Sequence, residues 1–405
     1  MQLKKIIPKI FTNRNITAIF LGQLVSQMGD SMFLIGLMWL VLELTGSKAT
    51  MGTIAMVSYL PMLFFGLFAG VVVDTYNRKK IMLIADFLRA LLVLLIPITY
   101  LMHVISIPII ITTAFLLSTL TSAFNPARDS IVPTLVGGKN LLRTNSLIQV
   151  SNYIAVLLGP ASAAALISVV GLVHLFTIDS ATFILSFFSI LIISYSPAIE
   201  VNTNKPKVVI QLKEILSYIN EDKRVRYLLI LTAINNFFIM GPAIVGIPIF
   251  VKEVLHKGAS SYALVESSYG LGMLIGALLI NYLNKFISTG KILLIGMIFD
   301  GFTYAIIYFT RSLELMILLI SFHAIGIPFI VVARTSLIQK WVTSEKLGRA
   351  FSLVNIAVVG MTALTTGVTG ILSEYISIQE IFAIFGVAGM FCGISGFFYK
   401  QLRTG

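Results

Sequence analysis

Residues 16–42 read ITAIFLGQLVSQMGDSMFLIGLMWLVL. As a helix these 27 residues extend about 40 Å at about 1.5 Å per residue, enough to cross a bilayer with some tilt. Within them lie Gln23, Ser26, Gln27 and Asp30, at offsets 0, 3, 4 and 7, the spacing of one helical face. Asp30 stands 14 residues in from Ile16, near mid-membrane, where a carboxylate costs about 2.5–3.5 kcal/mol on insertion scales. Lipid is therefore not what this face meets. Two readings fit: a hydrogen-bonded seam between helices, or the wall of a water-filled cavity on a transport path. In the second, Asp30 is the candidate proton carrier. Gln23, Ser26 and Gln27 are then candidate substrate contacts.

Composition extends that reading to the whole chain. Of 405 residues, 57% are hydrophobic and 11% charged, against about 25% charged in soluble proteins. The chain is thus a polytopic membrane protein. One cysteine, Cys392, excludes an intrachain disulfide and a cysteine-based metal or catalytic cluster. The basic start MQLKKIIPKIFTNRN is not followed by a short apolar region with a cleavage site, so an uncleaved first span is expected.

Apolar runs long enough to span number twelve: 16–42, 51–73, 81–101, 107–126, 146–168, 174–195, 227–250, 261–283, 292–309, 315–337, 350–372 and 380–399. The longest polar break, 197–226, holds NTNKPK and then VVIQLKEILSYI. It reads as a cytoplasmic linker whose amphipathic second part has the pattern of an interfacial helix. The expected layout is an all-α membrane protein: a six-helix bundle over 1–196, the linker, and a second bundle over 227–405.

Charge placement sets the orientation. The N-terminus, alternate loops and the C-terminus hold 24 of the 29 Lys and Arg. The opposite loops hold Lys48, Lys252, Lys257 and Arg311. By the positive-inside rule both termini are expected in the cytoplasm of a cell with an inner, cytoplasmic membrane. The net charge of +12 is then a topological signal matched to anionic lipid, and no nucleic-acid partner is expected. The two halves also repeat. ARDSIVPTLVGGKNLLRTNSLIQ from Ala127 and ARTSLIQKWVTSEKLGRAFSLVN from Ala333 share 8 of 23 positions without a gap. Arg128 matches Arg334 and Arg143 matches Arg349, four candidate cytoplasmic gate or headgroup residues. Paired halves of this kind build a midplane site at a pseudo-symmetric interface.

Gly70-x-x-x-Asp74-x-x-x-Arg78-Lys79-Lys80 falls between the second and third spans. It resembles the signature cytoplasmic loop of the major facilitator superfamily, with Thr75 and Asn77 replacing the usual Arg and Gly. The resemblance implies the major facilitator fold, with Gly70, Asp74, Arg78 and Lys79 as a conformational latch. Ala155-x-x-x-Gly159-Pro160-x-x-Ala163-Ala164 resembles the fifth-span motif of exporters in that superfamily, and Gly159 and Pro160 are its best-matched members. LGQLVSQMGD, ADFLRA, FNPARDSIVPTLV and TNSLIQ are similar to the branch holding macrolide-efflux proteins and the enterobactin exporter. That likeness implies a proton-driven exporter of drug-like or secondary-metabolite compounds, with antibiotic resistance as the associated phenotype.

By the same analogy the first, fourth, seventh and tenth spans line the cavity. Asn235 and Asn236 in the seventh, Glu266 in the eighth and His323 in the tenth join the list of substrate-cavity candidates. Gly241-Pro242 and Pro248 should break the seventh helix. Asp86 and Arg89 read as an i,i+3 structural pair, and Asp179 and Asp300 as capped or interface groups more readily than proton sites. Four scattered histidines give no metal or catalytic spacing, so no metal, no cofactor and no enzyme activity are expected. No Gly-x-x-x-x-Gly-Lys-Ser/Thr loop occurs, leaving the proton gradient as the energy source. An importer or uniporter of a small organic solute is the alternative. The partners expected are a small-molecule substrate and lipid, around a monomer.

Overall fold

The computed structural model describes residues 14–136, 141–195, 222–343 and 346–404. These residues are helical throughout, with no strand among them. Twelve helices are long and apolar enough to cross a membrane: Arg14–Thr45, Lys48–Phe65, Arg78–Leu101, Ile107–Leu135, Val150–Val170, His174–Leu191, Lys223–Glu253, Ala259–Ile280, Thr289–Ile307, Leu313–Trp341, Ala350–Leu372 and Ile378–Gly396. Inside lipid the backbone has no partner except itself, so an apolar run of this length folds as helix. The expected linker helix falls within 196–221, outside the described residues.

Polar residues mark the points where the spans begin. The Asn77 side chain accepts from the Lys80 amide, Asp222 from that of Arg224, and Ser288 from that of Lys291. Ser377 and Glu380 form a reciprocal capping box at the start of the twelfth span. The seventh span is interrupted as its prolines foretell. Lys223–Gly241 and Ile247–Glu253 are joined by one π-helical turn, Pro242–Gly246, where two missing proline donors make the regular ladder impossible.

The chain divides into two compact units. The first comprises Met1–Leu40 and Pro61–Lys205, the second Val41–Leu60 and Pro206–Gly405. In the first unit the third span packs on the fourth and sixth. Its apolar core includes Ile19, Met82, Phe124 and Ile131. The fifth span presses on the first where Gly159 leaves room: a Cβ there would sit 2.7 Å from that of Ser31. In the second unit the ninth span packs on the twelfth, the seventh on the eleventh and the eighth on the tenth. Its core includes Leu228, Leu294, Met297 and Leu337. The hairpin of residues 41–60 belongs to this unit.

Candidate functional site: a polar cavity in the first unit

Gln23, Ser26, Gln27 and Asp30 all line one cavity of about 240 Å³ inside the first unit. Their 0, 3, 4, 7 spacing puts them on one stripe of the first span, and the stripe faces this space. Thr121, Phe124, Asn125 and Arg128 of the fourth span, Arg89 of the third and Asn152 of the fifth complete the wall.

Hydrogen bonds fix part of the wall. Arg128 donates from its guanidinium to Gln23 Oε1 at 2.7 Å and pairs with Asp129 at 2.9 Å. Ser151 Oγ donates to Gln27 Oε1 at 3.0 Å. These bonds hold the two glutamine carbonyls and turn their amide N–H groups to other partners. The cavity wall thus carries two guanidinium groups, one carboxylate and the amides and hydroxyls of Gln, Asn, Ser and Thr, with Phe124 as its apolar face.

Arg89 is the residue that sequence reasoning missed. It pairs with Asp86 as the i,i+3 spacing foretold, yet it also reaches the cavity. Both members of the pair are buried, Asp86 at 0% and Arg89 at 2% exposure. The guanidinium lies 4.1 Å from the Phe124 ring centre and 4.5 Å from that of Phe183, contacts that replace water around a cation. The available signal was a charge count: within the first six spans three acids, Asp30, Asp86 and Asp179, share this one mid-span arginine. Asp179 backs the first span, its Oδ1 lying 2.3 Å from where a Gly29 Cβ would be. Thr182 Oγ1 donates to it at 3.2 Å, and Asp179 Oδ2 has no hydrogen-bond partner among the described residues.

The candidates in the second unit meet a different group. Asn235 Nδ2 donates to Asp300 Oδ2 at 3.3 Å, and His323 Nε2 lies 3.2 Å from Asp300 Oδ1. Asn236 instead ties the seventh span to the eleventh, donating to Val358 O and Thr362 Oγ1, both at 2.8 Å. Glu266 is half-buried on the eighth span.

At the loops, Arg78 donates to Ser130 O at 3.0 Å, and Lys79 Nζ to Leu191 O at 2.9 Å and Ile193 O at 2.7 Å. Lys79 therefore caps the end of the sixth span, a cation on free helix carbonyls. Gly70 and Asp74 lie on the second helix, but their side-chain surroundings fall outside the described residues, as do those of Arg143 and Arg349. Arg334 is half-buried on the tenth span. No group of three or more His, Cys, Asp or Glu poised for a metal occurs among the described residues.

Twelve apolar spans among the described residues, one unit of them holding a polar cavity, define a membrane transporter of the major facilitator type. Residues 9–404 match the family model described as transmembrane secretion effector, and the chain belongs to that family. Macrolide efflux protein A of Streptococcus pyogenes is 25% identical over 341 residues, 83% of each chain. The multidrug efflux pump Tap of Mycobacterium tuberculosis is 29% identical over 177 residues, 42% of each chain. Among solved structures, the nucleoside transporter NupG superposes with a TM-score of 0.79 at 12% identity, covering 95% of this chain and 100% of that one. A POT family transporter in complex with 5-aminolevulinic acid gives 0.78 at 12%, covering 97% of each. At such identities these two speak for the fold alone.

Proposed function

We propose that this protein exports a drug-like or secondary-metabolite small molecule in exchange for protons, by alternating access. The observation that carries the proposal is the first-unit cavity, which Asp30 shares with Gln23, Gln27, Arg89 and Arg128. A mid-span carboxylate on a polar cavity is positioned to gain and lose a proton. The glutamines and asparagines around it offer hydrogen bonds to a polar substrate, and Phe124 offers an apolar face. Similarity to efflux proteins supports the outward direction. In this reading the protein is a monomer in the cytoplasmic membrane, both termini cytoplasmic, with lipid as its other partner. Gly70, Asp74, Arg78 and Lys79 form the latch, and Arg128, Arg143, Arg334 and Arg349 the cytoplasmic gate.

The test uses inverted membrane vesicles and a radiolabelled macrolide. Imposing a proton gradient should drive uptake into the vesicles, accompanied by proton release. Asp30→Asn should reduce gradient-driven uptake at least tenfold while leaving gradient-independent binding in place. Undiminished coupling in a normally expressed Asp30→Asn protein removes Asp30 from this role. Gradient-driven movement in the opposite direction makes the protein an importer.

A further inference from the structure

The interior of the second unit holds a polar cluster that the first-unit cavity does not account for. Asp300 on the ninth span is 3% exposed and His323 on the tenth is 1%. The imidazole has a different oxygen at each nitrogen. Nε2 lies 3.2 Å from Asp300 Oδ1, and Nδ1 lies 2.8 Å from Thr303 Oγ1. Thr303 Oγ1 in turn lies 2.8 Å from Phe299 O. Tyr304 stacks on the imidazole at 4.2 Å and 21°, and Tyr269 meets it edge-on. The two phenol oxygens are 2.6 Å apart.

Counting donors leaves two ways to satisfy this geometry. In the first, Thr303 donates to Nδ1, so the proton on Nε2 points at an ionised Asp300. The group then holds one net negative charge. In the second, Thr303 donates to Phe299 O and accepts from Nδ1–H. Two facing lone pairs would then repel, so a further proton must lie between Nε2 and Oδ1. The group is then neutral overall. The two arrangements differ by one proton and by one rotation of a hydroxyl. In both, Nδ1 is matched by the Thr303 hydroxyl, while Nε2 makes a close polar approach to Asp300 Oδ1, an oxygen with no hydrogen-bond partner among the described residues.

We propose that Asp300 and His323 form a proton-binding site of the second unit, with Thr303 as the positioning residue whose hydroxyl rotates between its empty and loaded states. On loading, one proton from the aqueous side ends on Nδ1 while the proton already between Nε2 and Oδ1 stays in that gap, and the Thr303 hydrogen turns to Phe299 O. Release reverses both. The titratable groups around the dyad are Tyr304 on the ninth span and Tyr269 on the eighth, with Glu266 one turn from Tyr269. The seventh span contributes Asn235, and the twelfth places Phe382 on Tyr304. No Lys or Arg forms an ion pair with Asp300 among the described residues. Without a fixed cation, the charge of the empty state is balanced by proton uptake alone. The use of this proton in transport rests on the proposed export cycle; the binding itself does not.

The test is pH-difference infrared spectroscopy of the full chain in lipid nanodiscs, reading the protonated-carboxyl band. One band should be lost in Asp300→Asn and retained in Asp30→Asn. His323→Gln and Thr303→Val should each move its midpoint by one pH unit or more, and Thr303→Ser should restore it. If Asp300→Asn does not fold, the midpoint in His323→Gln decides. A band surviving Asp300→Asn, or a midpoint unmoved in His323→Gln, overturns the site. Proton-coupled uptake is scored separately in Asp30→Asn, so failure of the export reading at Asp30 leaves the dyad's result standing by itself.

Discussion

Arg89 shows what one buried ion contributes. Its guanidinium is held by Asp86 and two phenyl faces, and one edge opens on the cavity. Replacing it with Met would leave Asp86 charged and enclosed. A buried pair broken on one side typically costs about 3–5 kcal/mol. Arg89→Met should therefore lower the melting temperature in detergent well below that of the wild type. Asp86→Leu combined with Arg89→Met removes both charges, and most of the loss should return. A double variant no more stable than the single one would mean that the phenyl contacts, and not the charge, hold the site. Gln23 gives a gentler case: Arg128→Ala should free its carbonyl and lower stability in a detergent melt by about 1.5–3 kcal/mol, the worth of one charge-assisted hydrogen bond. At this scale the sequence was informative where residues share a helix. The stripe from Gln23 to Asp30 was legible because its spacing is local. The Asp300–His323 pair was not, since it joins two spans 23 residues apart, and helix rotation alone decides which faces meet.

Individual spans were legible for a simple reason: length and hydropathy are properties of a run, and the membrane enforces helix. Their seams were partly so. Gly272-x-x-x-Gly276 is a small-residue spacing that lets helix backbones approach closely, and Cβ atoms there would fall 2.0 Å from Ser321 O and 2.2 Å from Ile325 O. Both obstacles are backbone, which cannot step aside. Gly276→Val should force the eighth and tenth spans apart, cost about 1–3 kcal/mol and reduce the folded fraction on size exclusion. A second element-scale contact was invisible to periodicity. The start of the second span is clasped at its N-terminus by Glu374, which accepts from Ala49 N–H at 2.9 Å and Ser47 Oγ at 3.1 Å. Lys48 donates to Ser373 O at 3.0 Å and pairs with Glu253 at 2.7 Å. The Ala49 amide, first among its partners, holds the Glu374 carboxyl below its ordinary pKa of 4.5. A depressed carboxylate stabilises above its unfolded pKa and loses that contribution as pH falls through the folded one. Glu374→Gln should accordingly be less stable than the wild type at about pH 7, by less than about 1 kcal/mol because the carboxylate is exposed. Near about pH 3 the two melting curves should converge. A gap that stays constant across this range would show that the clasp does not depend on the charge.

Over the whole molecule, the distribution of Lys and Arg makes the strongest prediction, because insertion reads it before any packing forms. The loop after the second span leads into Arg78, Lys79 and Lys80 at the start of the third, and the loop after the eighth holds Lys285, with Lys291 in the first turn of the ninth. Arg311 lies in the loop after the ninth span, on the opposite side. Positive charges near span ends are retained on the cytoplasmic side. Cys392, the only cysteine, is buried and makes a simple background once replaced by Ala. In that background Arg311→Cys should react with a membrane-impermeant maleimide on intact cells. Lys80→Cys and Lys285→Cys, both exposed positions, should react only after permeabilisation. The same pattern must hold in both halves, since twelve crossings return the chain to its starting side. Reaction of Lys285→Cys on intact cells would mean an odd number of crossings between the two positions, and would break the two-fold repeat on which the proposed exchange depends. Reaction of both lysine positions from outside would instead invert the molecule. The arginines proposed as the gate would then face away from the anionic leaflet, and the direction of transport would need to be argued afresh from vesicle flux.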